Sequence, residues 1–129
     1  MGQQQLLITI LVTIIIGVAT VIAINTMQAS RTKANESAVR QDMLMVINDA
    51  HIYYRKPKAL GGGGKSFDGI SGDDIVSIDT TNENGTYEIS GSGNTVTVDG
   101  TGTADGVSLE AKATISSNAL NITWSKPSN

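Results

Sequence analysis

Hydrophobic and polar residues follow three successive patterns along this chain of 129 residues. An apolar run comes first, LLITILVTIIIGVATVIAI from Leu6 to Ile24, interrupted only by three threonines and one glycine. These 19 residues carry no charge, and the first charged side chain in the chain is that of Arg31. A run of this length and polarity can cross the hydrocarbon core of a bilayer as a helix.

The second pattern is an amphipathic helix that continues the apolar one to about Tyr54. Its apolar stripe has spacings of three and four and consists of Val39, Met43, Val46, Ile47, Ala50, Tyr53 and Tyr54. Polar residues, including Asp42 and Asp49, are expected mainly on the solvent side. The pattern ends at Pro57 because the residue before a proline avoids helical geometry.

One helix is therefore predicted over 1–56, with an apolar part over 1–30 and an amphipathic part over 31–56. A helix of about 50 residues spans roughly 75 Å at 1.5 Å per residue. That length is too great for a small globular domain. We expect something outside the chain to cover much of the helix surface.

The third pattern, over 75–129, alternates with period two and predicts an antiparallel meander of four or five strands. Val76 and Ile78 predict a short first strand, and Asn84-Gly85 predicts a hairpin turn. Residues 99–106 are expected to be a loop. A glycine-rich connecting loop over 57–74 is expected on or near the surface.

The predicted fold class is therefore α+β, with one long N-terminal helix packed on a small antiparallel sheet. The apolar stripe is the natural cover for the apolar face of the sheet. Trp124, in the last predicted strand, belongs to the same packing.

Composition limits the chemistry of the chain. Cysteine is absent, which excludes disulfides, thiolate zinc sites and iron–sulfur clusters. Residues 31–58 carry six basic and three acidic side chains, and residues 59–129 carry three basic and nine acidic ones. This division suits contacts between neighbouring copies better than nucleic-acid binding, which needs a dense basic face. A solvated acidic surface explains the acidic part equally well.

A charge-poor apolar helix, its amphipathic continuation, a loop and a small antiparallel sheet resemble the architecture of type IV pilins. The resemblance covers about 57 residues by pattern and the rest by layout. It implies a leader cut after a glycine, methylation of the new N-terminus at Met1, and helices that leave the membrane to form a filament core. A second processing register, after Gly2, is an alternative.

The chain departs from this family at three places. Gln5 stands where most pilins have a glutamate that is thought to pair with a neighbour's N-terminal amine. Ile22 stands where many bacterial pilins have proline, and Gly17 is the best candidate for local loosening. The C-terminal disulfide loop of many pilins cannot form without cysteine.

The filament hypothesis assigns an assembly role to the core helix. Small residues spaced by four lie on one helix face and permit close helix approach. The candidate assembly residues are Gln5, Leu6, Thr9, Thr13, Gly17 and Thr20. An ordinary helix-packing face in a membrane shows the same pattern.

Other motifs point to no enzyme and no cofactor. Gly64-Lys65-Ser66 lacks the first glycine of a phosphate loop, and the twelfth position of an EF-hand-like start at Thr80 is not glutamate. His51, the single histidine, has no metal-site context. The glycosylation pattern occurs at three asparagines, which are Asn35, Asn84 and Asn121.

The sequence thus predicts a major structural subunit of an extracellular pilus-like filament that serves adhesion, motility or surface attachment. Its partners are other copies, the cytoplasmic membrane before assembly and the assembly machinery. One alternative is a pseudopilin of a type II-like secretion system. Another is a monomeric, single-pass membrane-anchored binding module.

Overall fold

A computed structural model describes residues 2–126. One helix, α1, runs without interruption from Gly2 to Arg55. Its 54 residues correspond to about 81 Å at 1.5 Å per residue. The chain leaves the helix just before Pro57 and forms two short 3₁₀ turns, at Lys58–Leu60 and Gly72–Asp74.

Four antiparallel strands follow in a simple meander. They are β1 (Gly85–Ser92), β2 (Thr95–Gly102), β3 (Ser108–Ser116) and β4 (Ala119–Ser125), and they lie side by side in chain order. The last hairpin turns at Ser117-Asn118, where φ is 52° and 64°. Two left-handed residues in succession give the turn a twist that matches the strands. The α+β fold class predicted from the sequence is confirmed.

The core lies between the second half of α1 and the sheet. The period-two pattern of β3 places Leu109, Ala111, Ala113 and Ile115 on the buried face, while the alternate residues face away. The helix packs closely on β2 at Gly100. A Cβ atom there would lie 2.7 Å from the Met43 sulfur, so the absence of a side chain permits this close packing.

Two local predictions are wrong. No strand forms at Val76 and Ile78; the nearest pairing is an isolated bridge between Thr81 and Thr86, on either side of the turn at Asn84-Gly85. The backbone amides of residues 76 and 77 instead donate to Asp49, so they are not available for a ladder. The predicted loop over 99–106 is shorter, because β2 continues to Gly102 through cross-strand pairs with β1.

The connecting loop is also less superficial than the sequence predicts. Phe67 is completely buried and Ile70 is buried beside it. The Phe67 ring lies 4.9 Å from that of Tyr54, centroid to centroid, and its amide donates to the carbonyl of Gly93 in the β1–β2 turn. The loop therefore closes one end of the core.

Candidate functional site

The first half of α1 is exposed along its whole described length; near its end, Gln28 borders a surface hollow together with Ala104 and Asp105 of the β2–β3 loop. Residues 2–30, which we call the bare segment, are all exposed. Its large apolar side chains from Leu6 to Met27 are between 46% and 66% exposed, which is about what an isolated helix allows. The helix is long and apolar enough to cross a membrane, and none of its most apolar 18-residue window is buried.

The threonine hydroxyl groups of the bare segment form hydrogen bonds within the helix itself. Thr9, Thr13 and Thr20 each donate 2.8 Å to the backbone carbonyl four residues earlier. For Thr9, that acceptor is the carbonyl of Gln5. Hydroxyls bonded in this way can enter an apolar environment without leaving a donor unpaired.

The candidate assembly residues, from Gln5 to Thr20, all lie on the exposed surface of the bare segment. A Cβ atom added to Gly17 would meet nothing within 4 Å, so no close packing contact within the single chain requires a glycine at this position. Gln5 and Leu6 lie in the exposed first turns of the helix. Met1, the predicted site of methylation, lies outside the described residues.

The second half of α1 enters the head, which we define as residues 32–126. The helix–sheet packing residues predicted from the stripe lie at this junction. Val39, Met43, Val46, Ile47 and Ala50 are buried, while Tyr53, Tyr54 and Trp124 are partly buried against the same core. The Arg40 guanidinium lies 5.3 Å from the Trp124 ring centroid, which favours a cation–π contact.

Asp42 and Asp49, expected on the solvent side, are buried. Asp42 accepts hydrogen bonds from the Tyr87 hydroxyl at 2.7 Å and from the Asn84 and Asn82 amides at 2.9 and 3.1 Å. Burial raises the pKa of the Asp42 carboxyl, but these hydrogen bonds outweigh burial and leave the pKa below its ordinary value. This carboxylate holds β1 and the preceding turn against the helix.

Asp49, about two turns closer to the C-terminal end of the helix, holds the 76–77 segment in a similar way. Its carboxylate accepts from the backbone amides of Val76 and Ser77 at 2.9 and 2.7 Å and from the Ser77 hydroxyl at 2.6 Å. Tyr87 faces the low-dielectric core beside Asp42. Burial, together with the hydrogen bond from its hydroxyl to Asp42, raises the pKa of the Tyr87 hydroxyl. Sequence reasoning missed both carboxylates because their partners are at least 27 residues away.

The three predicted glycosylation sites differ in accessibility. The Asn35 amide nitrogen donates to the Asn84 carbonyl and the Thr103 hydroxyl. The Asn84 amide nitrogen donates to Asp42. A glycan on either nitrogen would replace an N–H donor at the helix–sheet junction. Asn121 is exposed on β4.

The outward face of the sheet carries a row of acids. Glu88, Asp99 and Glu110 are directly opposite one another on β1, β2 and β3. Burial, followed by the charges of Glu110 and Glu88, raises the pKa of the Asp99 carboxyl. Lys112 lies 3.5 Å from Glu110 and offsets part of the repulsion.

Residues 2–126 contain no group of three or more histidine, cysteine or acidic side chains that could hold a metal ion. Within the same range, no buried side-chain nitrogen or oxygen is without a hydrogen-bond partner. His51 borders a surface hollow beside Tyr54 and Arg55. The candidate functional feature is therefore the bare segment, whose apolar side chains are exposed.

Comparison of the chain with models of known protein families, with curated proteins and with solved structures gave no match.

Proposed function

We propose that this protein is the repeating structural subunit of a type IV pilus-like extracellular filament. The observation that carries the proposal is the division of α1. One half packs a buried face against the sheet of a folded head, and the other half is a bare apolar rod. The rod needs lipid or other copies of itself to cover it.

Both environments fit the dimensions of the bare segment. The 19 residues from Leu6 to Ile24 extend about 29 Å at 1.5 Å per residue. This matches a bilayer core of about 30 Å and allows the subunit to be held in the cytoplasmic membrane before assembly. In a filament, identical rods packed side by side bury the same surface.

The continuity of the helix favours a polymer over a simple anchor. A membrane anchor can function through a flexible link to its head. In α1 no break separates the bare segment from the buried half between Gly2 and Arg55. The packing of the rods therefore sets the position of every head, so that helical order in the core extends to the filament surface.

Gln5 lies in the first turns of the rod, where it would face other rods. Its amide is less costly to bury than an isolated carboxylate. It can hydrogen-bond to an ammonium group but cannot neutralise its charge. Close rod approach in this proposal depends on the small-residue face at Thr9, Thr13 and Gly17.

Replacement of Gly17 by Leu tests the packing role. We expect Gly17→Leu to reduce filament yield at least tenfold, because a leucine side chain blocks close approach. Membrane insertion should be unchanged, because the helix becomes more apolar. Val18→Leu, which enlarges an already large neighbour, is the matched control and should assemble normally.

Filaments are measured by electron microscopy of material sheared from cells, and insertion by membrane fractionation. Normal filaments from Gly17→Leu would overturn the packing role. If the unaltered protein forms no filaments and appears only in detergent-extracted membranes, the chain is an anchored module and the proposal is wrong.

A further inference from the structure

The two lateral sides of the head carry opposite charge. On the β1 side, the segment from residue 73 to residue 83 has exposed carboxylates at Asp73, Asp79 and Glu83. At its centre Val76 is 84% exposed, and Ile52 of the helix is exposed nearby. We call this surface the acidic side; Lys56 lies at its upper end.

The β4 side is basic. A hollow of about 470 Å³ lies between the C-terminal end of α1 and the β3–β4 turn. It is lined by His51, Tyr54, Arg55, Lys65, Ile115 and Asn118. None of these residues is acidic. Lower on the same side, Arg40 stacks on Trp124 and pairs with Glu36 at 3.1 Å. We call this surface the basic side.

Helix contacts show that the two surfaces face in different directions. Asp42 and Asp49 bind the 76–84 segment and Tyr87 of β1. Arg40 contacts Trp124 of β4, at the other edge of a sheet whose strands are in the order β1-β2-β3-β4. At 3.6 residues per turn, Arg40 and His51 lie roughly half a turn around the helix from Asp42 and Asp49.

Each side combines charge with exposed apolar surface. Val76 and Ile52 project from the acidic side. On the basic side Leu44 is exposed, and Leu120 and Ile122 of β4 are only partly covered. Both surfaces extend along the same part of α1, from about residue 40 to residue 56. They therefore have similar lengths, opposite charges and exposed apolar residues in common.

We propose that the acidic side of one subunit docks on the basic side of a second copy. In this contact, carboxylates of the 73–83 segment enter the hollow formed by His51, Arg55 and Lys65. The contact is heterologous, since each copy uses two different surfaces. A repeated heterologous contact generates an open helical assembly when it does not close into a ring. The inference rests on the proposed filament function and specifies how neighbouring heads meet.

Charge and apolar contact have separate roles in this arrangement. Oppositely charged surfaces fix orientation and exclude the pairing of like sides. Exposed charges interact over about 8 Å at physiological salt, so charge alone gives a weak contact. Burial of Val76 and Ile52 against the half-covered face of β4 supplies the non-directional part of the attraction.

Cysteine cross-linking in assembled filaments tests the contact. The chain has no native cysteine, so only introduced thiols react. The double variant Val76→Cys with Asn118→Cys has one thiol on each side. A bis-maleimide reagent with a span of about 10 Å should convert it into a ladder of dimers, trimers and larger products, because every copy links to two neighbours.

Three controls make the result specific. Each single variant should remain monomeric, because a thiol then has no thiol opposite it. Val76→Cys with Ser90→Cys, which uses the outward face of β1 in place of the basic side, should give no ladder. Dimers from Val76→Cys alone would show that like sides meet and would overturn the proposal. Filaments in which the first pair gives no ladder would also overturn it, while the filament function would stand.

Charge exchange provides an independent test. Arg55→Glu with Lys65→Glu should reduce filament yield at least tenfold, since both sides are then acidic. Adding Asp73→Lys and Asp79→Lys to the same chain makes the two sides opposite again and should restore most of the yield. If circular dichroism shows that the head of the quadruple variant is folded but its filament yield does not recover, the result counts against the contact. Absence of filaments from the unaltered chain would instead refute the filament function.

Discussion

The two halves of α1 belong to one continuous helix but have different surroundings. In the bare segment, a Cβ atom at Gly17 would meet nothing within 4 Å, whereas one at Gly100, under the buried half, would clash with Met43 and Val39. The same helical geometry therefore occurs where no other part of the described chain covers the helix and where the helix is tightly packed on the sheet. Helical continuity in this chain does not depend on a uniform environment.

The halves also differ in their intrinsic tendency to form a helix. The bare segment is rich in Ile, Val and Thr, which lose side-chain freedom in a helix and have only moderate helix propensity. In water such a segment has little reason to be helical alone. In lipid, or among other helices, unpaired backbone groups are so costly that the helix becomes obligatory. The rod thus depends on its surroundings for its conformation as well as for its cover.

The strongest test of this contrast uses two methionines in the head half. Met43 is completely buried and Met45, two positions later, is 47% exposed. We expect Met43→Ala to lower the free energy of unfolding of the head by about 3 kcal/mol, because it leaves a cavity in the core. Met45→Ala should change it by less than about 0.5 kcal/mol.

Both variants are measured as full-length chains in detergent micelles, by denaturant unfolding followed through fluorescence of the single Trp124. Equal losses from the two substitutions would show that the helix does not pack on the sheet through the Met43 face.

The sequence predicted the long helix and the meander because both are recorded in periodic patterns. The strict alternation from Val107 to Ile115 places all the apolar side chains of this segment on one face, and the structure buries these apolar side chains. The stripe from Val39 to Tyr54 likewise defines one helix face. These features depend on neighbours within a few residues, which a single sequence displays directly.

Features that depend on distant partners could not be predicted. Asp42 and Asp49 look like solvated helix positions until Asn84, Tyr87 and Ser77 are brought to them by the fold. Phe67 lies in a loop without hydrophobic periodicity, so no local pattern predicts its burial. The opposite charges on the two sides of the head also appear only once strand order and helix rotation are known.

A second, smaller effect is expected at the Asp42 carboxylate. Asp42→Ala leaves three donors at the helix–sheet junction without an acceptor, and we expect a loss of about 2 kcal/mol at pH 7. Asp79→Ala, which removes an exposed acid from the same side of the head, should be nearly neutral.

The pH dependence of this loss has a definite sign. The folded-state pKa of Asp42 is lowered, so its charge stabilises the head above the ordinary carboxyl pKa of about 3.9. That contribution disappears as the pH falls through the folded-state value. The difference between the unaltered chain and Asp42→Ala should therefore shrink below about pH 4. A difference that stays constant to pH 2.5 would show that the carboxylate charge has no part in holding β1.

The smallest expected effect is a gain in stability at Asp99, on the outward face of the sheet. Burial and the flanking Glu110 and Glu88 raise its pKa in the folded state, so ionised Asp99 opposes folding as the pH rises above the ordinary value of about 3.9. Asp99→Asn removes a charge that lies directly opposite two like charges and should stabilise the head by about 0.5 kcal/mol at pH 7.

The Asp99→Asn gain should vanish as the pH approaches 4, where the unaltered carboxyl binds a proton and the repulsion ends. Asp105→Asn, in the exposed β2–β3 loop, removes the same charge away from this row and is the matched control. A gain that persists at pH 3 would assign it to side-chain packing. An equal gain from Asp105→Asn would assign it to net charge. Only a gain confined to Asp99 and to higher pH reflects the row of three acids across β1, β2 and β3.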